Sequence, residues 1–263
     1  MTGVGDYFPY LEKFRHRGLF QGVRHVWEAV GKIEAYIESF MEKLSREPSH
    51  ESSQQELSLH KGMASSQGLL IARHDLLLRE LSIFIAEGAT IEPGVVIKRG
   101  AIIGGGAELR QGAYLRGNAI IGEGAVVGHA TEVKNSLFFD HAEAGHFAYV
   151  GDSLLGYHVN VGAGTKLANL QLRTRAMKEG ETIPTIKVPF GGKRLDTGLV
   201  KLGAVLGDYV EIGCNTVTAP GTLVGPGSWV YACMSVPKGV YPPDSILRPG
   251  ERGIETLPRE ERR

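Results

Sequence analysis

The sequence predicts an all-β protein, a parallel β-helix of hexapeptide repeats with an α-helical segment in front of it. Three observations predict it. Stepping in sixes from Ile85 reaches Ile91, Ile97, Ile103, Leu109, Leu115, Ile121, Val127 and Val133, all aliphatic. A second run from Val200 gives Leu206, Ile212, Thr218, Val224, Val230 and Val236, with Thr218 the exception; Leu155, Val161 and Leu167 form a short run between the two. Glycine is abundant, 36 in 263 residues, about twice the usual share. It directly follows the aliphatic position at Gly104, Gly122, Gly128, Gly156, Gly162, Gly207, Gly213 and Gly225.

A period of six fits neither a helix nor a simple strand. It fits a short strand followed by a corner, with one aliphatic side chain pointing inward per hexad and glycine supplying backbone freedom at the corner. Three hexads make a triangular turn of 18 residues, and successive turns stack as parallel strands about 4.8 Å apart.

In chain order, residues 1–82 form a helical N-terminal segment and a polar linker. Val23, Val26, Val30, Ile33, Ile37, Phe40 and Leu44 alternate at spacings of three and four, the stripe of an amphipathic helix or a short heptad seam. That stripe either packs on its own chain or mediates self-association. Residues 46–62, polar and Ser-rich, read as a linker. The apolar stretch Gly68 to Glu87 leads into the coil, which spans 83–245. The hexad register breaks between Val133 and Leu155 and again between Leu167 and Val200, and insertions in a solenoid leave the stack as loops. The second break frames a basic loop, 168–199, with Arg173, Arg175, Lys178, Lys187, Lys193 and Arg194 against Glu179, Glu181 and Asp196. Its net positive charge points to an anionic neighbour. Residues 246–263 form a charged tail, expected to fray from Glu251 onward.

Hydrophobic content of 42% and charged content of 22% are those of an ordinary globular chain. The formal net charge of zero gives no basic field for nucleic acid. No apolar run approaches the ~18 residues of a membrane span, and the N-terminus lacks a basic-then-apolar leader, so a cytoplasmic location is expected. Cys214 and Cys233 stand in no metal-ligand pattern and read as reduced thiols.

Residues 18 apart stack on neighbouring rungs. Arg116 and Lys134 are such a pair. Stacked like charges destabilise a sheet, which makes sense if they clamp an anion such as phosphate; solvated charges, or neutralisation by Glu132, explain them equally well. His146, in Gly145 to Asp152 at the first register break, has the imidazole chemistry of a general base and also reads as a structural histidine. Asn160 and Asn169 fit coil corners, where asparagine tolerates a left-handed backbone.

Taken together, residues 113–169 resemble the acetyltransferase domain of the bifunctional glucosamine-1-phosphate acetyltransferase/N-acetylglucosamine-1-phosphate uridylyltransferase family. The resemblance is carried by AYLRGNAIIGEGAVVGHATEVKNS, GHFAYVGDS and VNVGAGTKLAN. The stretch VPFGGKRLDTGLVKLGAVLGDYVEIG is similar to the archaeal branch, and coverage is roughly residues 85–240. The resemblance implies a left-handed β-helix, a homotrimer with active sites between subunits, and acetyl-CoA as co-substrate. It implies His146 as general base, Arg116, Lys134, Tyr149 and Asn160 as sugar-phosphate ligands, Asn169 as a further active-site residue, and the Ala163 amide as the holder of the thioester oxygen. Cys214 and Ala232 fall where coenzyme contacts are expected, and Arg248 near a coenzyme phosphate.

The chain departs from the bacterial pattern after Asn169, where Leu170-Gln171-Leu172 replaces Tyr-Asp-Gly. No stretch matches the Gly-rich GxGTRM-type nucleotide loop, and Gly3-Val4-Gly5 lacks a flanking strand. Acetyl transfer to an amino-sugar 1-phosphate, without uridylyl transfer, is the expectation. A non-catalytic assembly coil, or one that only binds sugar nucleotides, is the alternative.

Overall fold

The computed structural model describes residues 2–45, 57–60, 62–251 and 253–259. The predicted linker lies largely outside the described residues. From Ile83 onward the chain is a triangular coil, and with the strands that precede it the three faces are sheets of nine, nine and ten strands. Within one turn the first face carries Tyr114–Leu115, the second Ala119–Ile121 and the third Val126–His129. Each of these strands pairs in parallel with its counterpart in the next turn. Two strands entering the coil, Leu70–Ile71 and Leu76–Leu78, pair antiparallel with its first strands. Among the described residues no helix is long and apolar enough to cross a membrane.

The nine aliphatics from Ile85 to Val133 are all buried, none above 1% exposed. The first register break is not a loop. Ile121 pairs with Phe138 and Val133 with Val150, so the turn shortens from 18 residues to 17. The steps Val133 to Phe138 and Phe138 to Leu155 pass through the buried Ala144 and Val150 without leaving the stack. A scan in sixes loses phase at a five-residue step and reads a shortened corner as an insertion. The second break is an insertion: Leu155 pairs with Leu206, 51 residues on. Its excursion includes a short helix, Arg175–Lys178, and an antiparallel hairpin, Lys187–Phe190 with Lys193–Asp196. Val200, taken as an inward position, is 37% exposed; the inward run resumes at Leu206. Nor does the tail fray where it is described, because Gly253–Pro258 pairs antiparallel with Ser245–Gly250.

The second face is apolar on both sides. Its inward residues fill the coil, while Phe84, Ile102, Ile120, Leu137, Leu154, Val205 and Leu223 face outward into a second core. The N-terminal segment covers them with Phe8, Phe14, Trp27, Ile33 and Ile37, and the hairpin adds Ile186 and Val188. Phe139 anchors this layer, stacked on Phe14 at 4.2 Å between ring centroids and lying 4.5 Å from Phe8. The predicted stripe therefore packs on the coil of its own chain. Its helix is shorter than predicted: Val26–Lys32 is a 3-10 segment and the α-helix runs Ile33–Ser45.

Candidate active site

The register places most of the predicted residues on the first face and along its two edges. Pairing of Leu115 with Val133 sets Arg116 beside Lys134 on adjacent rungs, as the spacing of 18 predicts. The two cations do not stand unneutralised. Arg116 donates from Nη1 to Glu132 Oε1 at 2.7 Å, which holds the guanidinium firmly charged. Lys134 Nζ lies 3.5 Å from Asp152 Oδ2. The neutralisation of Arg116 by Glu132 weighed from the sequence is thus present alongside the ladder.

Asp152 organises this edge. It is 4% exposed and accepts from Lys134, from Asn135 Nδ2 at 2.9 Å and from the Asn169 amide. A buried carboxylate needs such donors to remain in place. The Asn169 amide also hydrogen-bonds the Tyr149 hydroxyl, whose pKa is raised, chiefly by burial and then by the charges of Glu132 and Asp152. Gly151 makes this possible: a Cβ there would sit 2.5 Å from the Tyr149 hydroxyl and 2.7 Å from Asn169 Nδ2.

Sequence reasoning missed Asn118, Asn135 and Asp152. They recur every 17 residues, with Asn169 the next step of the series, at the corner between the first and second faces. The first three have φ of 53°, 46° and 48°, a left-handed backbone that Asn and Asp tolerate best. Their spacing was the available signal, hidden by a fixed step of 18.

Above this edge lies a cleft of about 410 Å³. Arg99, Arg116, Lys134 and Asn118 line it from the coil, and Glu34, Ile37 and Glu38 line it from the N-terminal helix. Neither glutamate forms an ion pair among the described residues, nor does Arg99.

The opposite edge, between the third and first faces, is a column along the coil axis. His129 pairs with His146, and the pairings of Ala144 with Val161, Val161 with Ile212 and Ile212 with Val230 continue it through Ala163, Cys214 and Ala232. His146, Cys214 and Ala232 are exposed. The Gly164 amide donates to the His146 carbonyl at 3.0 Å, fixing consecutive rungs. Among the described residues no acceptor takes the Ala163 amide proton. Gly128 permits the tight stacking beneath His146, since a Cβ there would overlap the Gly145 carbonyl.

Arg116, Lys134, Tyr149 and Asn169 therefore come together, and His146, Ala163, Cys214 and Ala232 come together at the other edge of the same face. Asn160 joins neither group. It stands on the third face and donates to Glu211 Oε2 at 2.8 Å. Arg248 lies in the terminal hairpin and pairs with Glu255 at 3.1 Å.

No family model matches the chain. A bifunctional sugar-1-phosphate nucleotidylyltransferase/acetyltransferase of Sulfurisphaera tokodaii is 36% identical over 102 residues, 39% of this chain and 23% of that protein. The bifunctional protein GlmU of Methanocaldococcus jannaschii is 32% identical over 111 residues, 42% of this chain and 25% of the relative. The chain is similar to these bifunctional proteins over about two fifths of its own length. It spans about a quarter of the length of the curated relatives it matches. Among solved structures, the UDP-N-acetylglucosamine acyltransferase of Campylobacter jejuni aligns with a TM-score of 0.33 at 15% identity, over 63% of this chain and 72% of that one.

Proposed function

We propose that this chain is an N-acetyltransferase that moves the acetyl group of acetyl-CoA to the amine of an amino-sugar 1-phosphate, glucosamine-1-phosphate first, in nucleotide-sugar synthesis. It would act as a homotrimer in the cytosol, without uridylyl transfer. The observation that carries this reading is the order of chemistry across one face. A cation pair on a buried carboxylate network stands at one edge, Tyr149 lies within the face, and an exposed histidine followed by an unused backbone amide stands at the other. The partial likeness to sugar-1-phosphate nucleotidylyltransferase/acetyltransferases supports the same choice.

In this mechanism Arg116 and Lys134 hold the phosphate, the guanidinium as a fork and the ammonium as a point charge. Tyr149 and Asn169 orient the sugar, with Asn160 contributing from the third face. His146 takes a proton from the amine as its nitrogen attacks the thioester carbonyl. The Ala163 amide donates to the developing oxyanion, a contribution of about 3 kcal/mol for one such donor. The C–S bond then breaks, and the coenzyme leaves as a thiol carrying the proton. Cys214 and Ala232, one and two rungs beyond Ala163, line the path of the coenzyme. In one chain the base and the clamp are separated by the width of the face, which favours a site completed by a neighbouring copy.

The Arg116–Glu132 pair is also what a non-catalytic coil would show. The deciding assay is release of free thiol from acetyl-CoA with glucosamine-1-phosphate, galactosamine-1-phosphate and the unphosphorylated sugars. Release that requires both the amine and the phosphate supports the assignment. No release with any amino-sugar phosphate rejects it.

A further inference from the structure

A second cleft, of about 370 Å³, lies where the inserted hairpin meets the coil, lined by Gln171, Thr185, Lys187, Arg194 and Lys238 together with two prolines. We propose that it is a second anion site, built for a phosphate-bearing small molecule. The hairpin alternates as a half-buried strand pair should. Val188 pairs with Leu195, and both pack toward the second core. Lys187 and Arg194 belong to the other face of the hairpin, and Lys238 comes from the coil corner.

Three cations thus share one cleft that no carboxylate lines. Among the described residues none of the three forms an ion pair. Lys238 donates to Gln171 Oε1 at 3.1 Å, a neutral partner. The nearest acid on the hairpin is Asp196, opposite Lys187 in the register. Its carboxylate is held by the Thr185 hydroxyl and by the Gly198 amide at 2.9 Å and also feels the charge of Lys187, but it does not line the cleft. The cleft above Arg116 differs, because there two glutamates face the cations. A cluster of like charges without a carboxylate is repulsive, and a phosphate relieves it with charge-assisted hydrogen bonds. The volume, within the roughly 300–1,000 Å³ of small-molecule sites, leaves room for an occupant larger than a bare ion. This gives a use to Lys187 and Arg194, two of the cations of the inserted loop, and it does not rest on the transferase reading.

The test is calorimetric titration with inorganic phosphate, pyrophosphate and adenosine 5′-diphosphate, on the full chain and on an R194M/K238M variant. The organic diphosphate should bind the wild type more tightly than inorganic phosphate does. The variant should bind it roughly tenfold or more weakly, since two charge-assisted contacts are gone. An R194K/K238R variant should recover part of the affinity, and unfolding curves establish that all three chains are folded. Equal titration of the wild type and R194M/K238M overturns the site. Inorganic phosphate binding as tightly as the organic diphosphate overturns its assignment to a small molecule. Because the readout is binding, a chain inactive in acetyl transfer leaves the test intact.

Discussion

The two edges of the first face are built on opposite plans. The edge toward the second face is internally satisfied: Asp152 is 4% exposed, gathers three donors, and sits beside the N-terminal helix, with Asn135 also reaching the Val30 carbonyl at 3.4 Å. The edge toward the third face is bare. His146, Cys214 and Ala232 are exposed there, flanked by Phe147 at 54% and Tyr231 at 49%. One edge is preorganised by side chains that hold one another, and the other by backbone corners with Lys166 donating to the Phe147 and Gly164 carbonyls. A preorganised clamp fixes a charged group at little further entropic cost, whereas an exposed corner has room for a second surface to complete it.

The largest effect should come from the bare edge. His146→Ala is expected to lower kcat by roughly 10²–10⁴-fold while the melting temperature and sugar-phosphate affinity stay near wild type, because the imidazole is exposed. Single-turnover acetyl transfer checks it, and wild-type turnover would remove His146 as the base. Next comes the layer that roofs the satisfied edge. Phe139→Ala deletes the ring stacked on Phe14 and next to Phe8 and Phe20, and should cost roughly 3–5 kcal/mol in urea unfolding. Limited proteolysis should then cut first in the N-terminal segment. Cleavage first in the coil would mean that the segment does not depend on the second face.

This comparison also shows what was legible beforehand. The inward ladder and the Arg116–Lys134 pair followed from adding 18, because each turn of that part of the coil has three full hexads. The corner network was illegible for the same reason: a 17-residue turn moves Asp152 from the rung above Lys134 to the rung above Asn135. The outward apolar column had a readable signature, a second aliphatic directly before the inward one in every third hexad, as at Ile102-Ile103 and Ile120-Ile121. A six-residue beat looks at one position per hexad and passes over it. The hand of the coil has no sequence signal in the period itself and came only from resemblance.

The roof should also respond to pH. Burial lowers the His16 imidazole to about 4 from its ordinary value near 6.5. The unfolded chain therefore takes up a proton between pH 6.5 and 4 that the folded chain refuses. The stability linked to His16 is full above 6.5 and is lost as pH falls through that window. Asp208 acts in the opposite sense. Burial raises its carboxyl to about 6, against its hydrogen bonds from the Tyr157 and Tyr10 amides; its contribution is full below its ordinary value and lost as pH rises through 6. The two slopes partly cancel in the wild type. His16→Phe removes one of them, so the stability of this variant relative to wild type should rise by roughly 1–3 kcal/mol between pH 6.5 and 4.5. Urea unfolding at a series of pH values reads it, and parallel curves would show that His16 is not titrating with folding.

The smallest effect probes the satisfied edge itself. The Arg116 and Glu132 side chains are 43% and 32% exposed, so solvent screens their attraction and the pair contributes at most about 1 kcal/mol to stability. Glu132→Gln should therefore shift the unfolding free energy by less than that. Its consequence for binding has the other sign. Glu132 competes with a phosphate for the same guanidinium, and releasing Arg116 should tighten glucosamine-1-phosphate by a few fold, about 0.5–1 kcal/mol. If affinity falls instead, Glu132 contacts the sugar or aims the guanidinium, and the pair belongs to the binding geometry rather than to the resting state of an empty clamp.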